Sequence, residues 1–207
     1  LLSAIRNVAA GKQVISSDIQ ETLIFGVNIA NDGFMCYKQA AYAIVNRDNI
    51  FRSCYAAGGG PLGFGSAENA LVEHCISMGT LFDSIGAPKN SVFRNNYSGG
   101  VITGVGNSTL SNCVFAYNRK IVKTASASSY YFVGENTSAV TGYIYDSLFA
   151  SNKVVVLSVS PSISRYAVGI VGQGDYNSNL YLANCTFDHN TAEGVEVDGI
   201  GAYISRG

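Results

Sequence analysis

Asp146, Asp188 and His189 are the side chains of this sequence best suited to acid–base chemistry. Two carboxyl groups at a fixed separation hydrolyse glycosidic bonds, and an acid cluster with a proton abstractor carries out elimination on acidic polysaccharides. The spacing delivers neither arrangement. In the repeat described below Asp146 has Asn112 and Asn184 as its counterparts, and Asp188 and His189 are strand neighbours expected to point to opposite faces. No catalytic residue is assigned; these three are where an enzyme would hold its chemistry. Metal chemistry is not expected either. The five cysteines form no Cys-x-x-Cys pair, and no His-rich spacing accompanies them. Asp175-Tyr-Asn-Ser-Asn179 opens like a calcium loop, but Leu180 stands where such a loop needs glycine and Thr186 where it needs glutamate. Gly58-Gly-Gly-Pro-Leu-Gly-Phe-Gly65 lacks the Lys-Ser/Thr of a phosphate loop and reads as a turn. No cofactor is implied.

Binding chemistry is better represented. Tyr130, Tyr131 and Tyr166 lie in segments that interrupt the repeat, and exposed phenol rings there suit contact with glycan or protein. Asn96, Asn107, Asn136 and Asn184 each begin an Asn-x-Ser/Thr sequon. Asn107 and Asn136 fall in polar, Gly-flanked stretches and, with Asn184, are the candidate glycan acceptors. Asn96 belongs to a proposed turn column and would be inaccessible.

The elements that position these residues come from a repeat. Phe51-Arg-Ser-Cys-Tyr-Ala56, Val72-Glu-His-Cys-Ile-Ser77, Pro88-Lys-Asn-Ser-Val-Phe93, Leu110-Ser-Asn-Cys-Val-Phe115, Ile144-Tyr-Asp-Ser-Leu-Phe149 and Leu182-Ala-Asn-Cys-Thr-Phe187 share one pattern. A unit this short cannot bury its apolar side alone, so each copy is one rung of a stack. Aligned, the copies give a small-residue ladder of Cys54, Cys75, Ser91, Cys113, Ser147 and Cys185, and two residues on an aromatic ladder of Phe93, Phe115, Phe149 and Phe187. Residues two apart on a strand share a face, so both ladders point inward as core. Burying each Phe contributes about 1.5–3 kcal/mol. Three residues further come Asn96, Asn118, Asn152 and Asn190, a candidate turn ladder because asparagine tolerates the left-handed backbone. The column Ser53, His74, Asn90, Asn112, Asp146 and Asn184 is an equal candidate for the turn. Arg52, Glu73 and Lys89 would alternate in charge on successive rungs. Cys54 and Cys75, on adjacent rungs, are near enough for a disulfide at strand spacing.

Composition suits a β-rich body. Hydrophobic residues make up 47% of the 207 and charged ones 13%, apolar runs are short and rich in Val, Ile, Tyr and Phe, and no long helical period occurs. The reading is all-β: a right-handed, single-stranded parallel β-helix of about 7–9 coils. One continuous domain covers 1–207, with degenerate coils in 1–45, clear repeats over 48–207, and insertions near 119–143 and 153–181. Within those insertions Ser129-Tyr-Tyr-Phe-Val-Gly134 and Ser164-Arg-Tyr-Ala-Val-Gly169 resemble each other. Neither terminus carries a polar cap, so the chain is read as a segment of a larger protein.

The Leu-x-Asn-Cys-x-Phe-x-x-Asn signature, complete at 110–118 and 182–190, together with Gly99-Gly-Val-Ile102, resembles right-handed parallel β-helix proteins of the pectin-lyase-like superfamily. Its repeat style is similar to polymorphic membrane proteins, surface-exposed adhesins and autotransporter passengers. The resemblance implies an extracellular or cell-surface scaffold that presents loops for binding or assembly. Its partners would be other segments or copies of a surface assembly, or a host or matrix protein or glycan. A polysaccharide lyase or glycoside hydrolase of the same superfamily is the alternative. A formal net charge of −1 gives no basic field for nucleic acid, and no apolar run reaches membrane-spanning length.

Overall fold

A computed structural model describes residues 22–25, 28–29, 45–56, 63–64, 66–83, 87–103, 105, 107–123, 129–135, 141–161, 167–173, 179–194 and 200–204. Every described element is a β-strand, and every pairing between strands is parallel. The first sheet holds Thr22–Phe25, Asn49–Arg52, Leu71–Glu73, Val92–Arg94, Val114–Ala116, Leu148–Ala150 and Thr186–Asp188, in that spatial order. The second holds Asn28–Ile29, Tyr55–Ala56, Ile76–Ser77, Tyr97–Ser98, Arg119–Val122, Lys153–Val156 and Thr191–Gly194, again in chain order. Each passage of the chain therefore lays one strand on the first sheet, turns, and lays the next on the second. A third sheet precedes each of the last three passages, with Thr109–Ser111, Thr141–Tyr145 and Asn179–Ala183 side by side. A fourth follows it, with Ser129–Glu135, Ala167–Gln173 and Ile200–Ile204.

The repeat encodes two corners per passage, and both require a left-handed residue. Asp48, Asn69, Asn90, Asn112, Asp146 and Asn184 turn the chain into the first sheet with φ between 48° and 55°; Ser53, His74, Asn95, Tyr117, Ser151 and His189 turn it out with φ in the same range. The proposed turn column of Ser53, His74, Asn90, Asn112, Asp146 and Asn184 thus mixes the two corners. Asn96, Asn118, Asn152 and Asn190 are not the left-handed residues; each follows one and points inward.

Register corrects the small-residue ladder as well. Phe51 pairs with Val72, Val72 with Phe93, and Phe93 with Phe115. Cys54 and Cys75 lie three residues after that column, whereas Ser91 and Cys113 lie two before it. Cys75 N–H accordingly donates to Asn96 Oδ1 at 2.9 Å, a separation of 21 residues, and Ala70 N–H to Ser91 Oγ across the same separation. The six residues form two columns. Cys54 and Cys75 head the asparagine column, and Ala70 precedes Ser91, Cys113, Ser147 and Cys185. The apparent single ladder arose because cysteine occupies the inward position after either corner.

Inside, rings of Phe93, Phe115, Phe149 and Phe187 stack with centroids 5.0, 5.1 and 4.9 Å apart and planes within 8°. Phe51, Val72, Leu110, Ile144, Val154 and Ile102 are among the residues that complete the core. Gly99 and Gly100 have a steric reason: a Cβ would lie 2.1 Å from Met78 O at the first and 2.6 Å from Thr80 N at the second. In the fourth sheet Tyr131 pairs with Gly169 and Gly134 with Gly172. The internal likeness of 129–134 to 164–169 is therefore offset from the true register. Tyr130 and Tyr131 belong to a strand, not a projecting loop. Tyr166, Asn136, Cys36, residues 1–21, the Gly58-to-Pro61 stretch and 175–178 of the calcium-like segment lie outside the described residues.

Candidate functional site

Each inward column makes its own hydrogen-bond ladder. Asn118 Nδ2 donates to Phe93 O at 2.8 Å and to Asn152 Oδ1 at 3.0 Å, while Asn118 Oδ1 accepts from Asn96 N and Asn96 Nδ2 at 3.0 and 2.9 Å. Asn152 repeats the arrangement with Phe115 O and Asn190 Oδ1. Side-chain amides thus replace the strand ladder where the corner interrupts it, and among the described residues no buried side-chain nitrogen or oxygen lacks a partner. The companion column works the same way: Ser147 Oγ accepts from Cys113 N and donates to Tyr145 O. Thiols serve as donors in both columns, Cys113 Sγ lying 3.3 Å from Ser111 O and Cys75 Sγ 3.3 Å from Glu73 O. Cys54 and Cys75 are not joined by a disulfide. A hydrogen bond with Cys54, and then burial, push the Cys75 thiol far up, and burial pushes Cys113 up to about 12. These are packing groups, since the nucleophile would be the thiolate.

The candidate acids sit on the surface. Asp146, at the first corner, accepts from Asn184 Nδ2 at 2.6 Å. Asp188 ends a first-sheet strand and touches His189 through Oδ1 and Nδ1 at 2.5 Å. The left-handed corner at His189 turns its ring to the same side as Asp188, contrary to the strand-alternation expectation. Asp146 and Asp188 stand at opposite corners of the first sheet. Among the described residues no cluster of three or more His, Cys, Asp or Glu could hold a metal ion, and no helix is long and apolar enough to cross a membrane.

Charge is organised outside the first sheet. Arg52, Glu73 and Arg94 are register partners, and the two guanidinium groups lie over the Glu73 carboxylate from either side, Arg94 Nε at 2.7 Å. Lys89, expected next to Glu73, instead pairs with Glu68 and Ser111 in the third sheet. Desolvation raises the Glu73 carboxyl, but hydrogen bonds from Arg94 and Arg52 and their charges outweigh it, leaving it below the usual carboxylate value of 4.5. A lowered carboxyl pKa contributes stability that is full above the unfolded value and lost as pH falls through the folded one. Glu73→Gln should therefore destabilise by about 1–2 kcal/mol at pH 7. The gap should close as the pH is lowered below 4.5, which denaturant melts of both proteins across that range would measure.

The third sheet carries an aromatic surface cluster. Leu110, Ile144, Leu180 and Leu182 point inward from it, so Tyr143, Tyr145 and Tyr181 alternate outward. Tyr143 stacks on Tyr181 with centroids 5.3 Å apart and 17° between planes, and tilts against Tyr145 at 5.9 Å. Tyr181 is 52% exposed. Thr109 and Ser111 continue the two outward columns in register, and Asn107 Oδ1 accepts from Thr141 N at 2.7 Å beside them. Of the sequon residues, Asn184 is exposed at a corner and Asn96 is buried in its ladder. Sequence reasoning placed the binding tyrosines in the insertions and passed over Tyr143, Tyr145 and Tyr181. The alternations Tyr143-Ile-Tyr145 and Leu180-Tyr-Leu182 held the signal. Comparisons with protein-family models, curated proteins and solved structures found no match.

Proposed function

We propose that the chain is a right-handed parallel β-helix, continuous over its length and extracellular or cell-surface in location, serving as a rigid scaffold that binds glycan or protein. The observation that carries this reading is the outward trio Tyr143, Tyr145 and Tyr181 on a sheet whose inner side is packed core. Tyrosine offers large rigid contact area at low entropic cost plus a hydroxyl that donates and accepts, the combination that recognition surfaces favour. Mounting on strands fixes the rings relative to one another, which lowers the ordering cost of binding. Tyr130, Tyr131 and Tyr166 extend the proposed contact surface, and Asn107, Asn136 and Asn184 are its proposed glycan acceptors. The resemblance of the repeat to pectin-lyase-like and polymorphic membrane proteins supports a surface role over a catalytic one, since the acid residues Asp146 and Asp188 are apart.

The test uses a panel of immobilised glycans and extracellular-matrix proteins. The triple change Tyr143→Ser, Tyr145→Ser and Tyr181→Ser should lower apparent affinity for a bound ligand at least tenfold while leaving the circular-dichroism spectrum and melting cooperativity unchanged. A folded triple variant that binds as the parent does rejects the trio as the contact surface. The same panel probed with Tyr130→Ser, Tyr131→Ser and Tyr166→Ser separates the two tyrosine sets.

A further inference from the structure

We infer that the outward side of the third sheet binds a neutral polysaccharide in extended form, its chain running from passage to passage along the stack. The inference rests on the proposed contact surface at Tyr143, Tyr145 and Tyr181 and names what that surface takes.

The outward positions of the sheet follow from strand alternation. Thr109 and Ser111 face out from its first strand, Thr141, Tyr143 and Tyr145 from the second, and Tyr181 from the third, flanked by Asn179 and Ala183. Six of these eight side chains carry a hydroxyl and none is charged. They stand in register, with Thr109 beside Tyr143 and Tyr143 beside Tyr181 in one column, and Ser111 beside Tyr145 in the next. Inside the molecule hydroxyls are engaged, as where Ser91, Ser98 and Ser147 each donate to a backbone carbonyl. On this outer side none of the six bonds to another protein group among the described residues. Their donors and acceptors are open to a ligand.

Ring geometry narrows the choice. Tyr143 and Tyr181 lie face to face with centroids 5.3 Å apart, so the pair turns edges and phenol oxygens outward rather than a flat platform. Each hydroxyl both donates and accepts, which matches the two-way hydrogen bonding of a polyol. An anionic ligand finds no net field here. Lys89, in register with Ser111, and Asp146, next to Tyr145, border the surface with opposite signs.

Spacing selects a polysaccharide over a polypeptide. A pyranose chain linked across opposite ring carbons advances by about 5 Å per sugar when extended, close to the ~4.8 Å between strands, whereas an extended polypeptide advances by about 3.3 Å per residue and falls out of step. Each sugar laid along the stack therefore meets one passage as its neighbour meets the next.

Isothermal titration calorimetry of the 207-residue chain tests this with xylohexaose and cellohexaose, both neutral, beside a polygalacturonate hexamer and fibronectin as a matrix protein. At least one neutral hexamer should bind, at least tenfold more tightly than the acidic hexamer and than its own disaccharide, with less than a twofold change in affinity between low and high salt. The triple change Tyr143→Phe, Tyr145→Phe and Tyr181→Phe keeps the rings and removes their hydroxyls. It should bind the neutral hexamer at least tenfold more weakly while melting as the parent does. Failure of both neutral hexamers to bind, equal or tighter binding of the acidic hexamer, or binding of fibronectin alone overturns the inference. So does parental affinity in the Phe triple: if the Ser triple described above then loses binding, the contact surface stands without its hydroxyls, and if the Ser triple also binds as the parent does, the contact surface itself falls.

Discussion

Asn118→Ala should destabilise the fold by about 4–6 kcal/mol, because it strips partners from several buried groups at once and each unmet group costs roughly 1–3 kcal/mol. Asn118 is 1% exposed. Its loss leaves Phe93 O without its amide donor, Asn96 N and Nδ2 without their shared acceptor, and Asn152 Oδ1 short of one donor. A domain typically has only about 5–15 kcal/mol in total, so the variant should be partly unfolded at room temperature. Urea melts followed by near-ultraviolet circular dichroism measure this. Asn190→Ala is the control. The same groups are touched at a partly exposed position, water replaces the amide, and the loss should fall to about 1–2 kcal/mol. Equal losses at the two positions would show that the ladder contributes little beyond each residue's own packing.

Lys120→Met should act in the opposite direction. Lys120 is 5% exposed and faces inward from the second sheet, pairing with Ser98 and Val154. Burial alone lowers its pKa from the ordinary 10.5 to about 7. The sign follows from proton counting. Between those two values the unfolded chain binds a proton that the folded one does not, so stability rises with pH across that window and is lowest below it. At 1.36 kcal/mol per unit, the charged lysine costs the fold on the order of 3–5 kcal/mol below pH 7. Methionine has nearly the same length and no charge. The variant should melt higher at pH 6, and the parent should approach it by pH 10. Thermal melts at half-unit steps give both curves; a parent curve flat from pH 7 to 10 would mean that Lys120 does not titrate in that window.

How much of this was legible beforehand differs from column to column. The Phe-x-x-Asn spacing identifies the stack because ring and amide each have one suitable place, inward on the strand and inward past the corner. Cysteine and serine do not discriminate. Cys54 and Cys113 both follow a left-handed residue and both donate a thiol to a backbone carbonyl, so the sequence aligns them although they belong to different corners. The shorter interval from Cys75 to Ser91 than from Cys54 to Cys75 was the trace of that slip. The left-handed positions were hidden for another reason. Tyr117 and His74 occupy them as readily as asparagine here, because the corner is fixed by the backbone bonds on either side rather than by the residue's own preference. Tyr143 and Tyr181 close the stretches read as insertions, 119–143 and 153–181, whereas Tyr145 belongs to a repeat copy, and only the register of the third sheet brings the three together.

The ladders also give the molecule a direction of mechanical weakness. Among the described residues, phenylalanine rings, amides and strand bonds join one passage to the next, so tension applied along the stack loads one interface at a time and opens it like a zipper. Pulling along the strands loads a full row of parallel bonds in shear. A tether attached at the two ends of the stack should therefore release length in steps of one passage at low force, starting from whichever edge is uncovered.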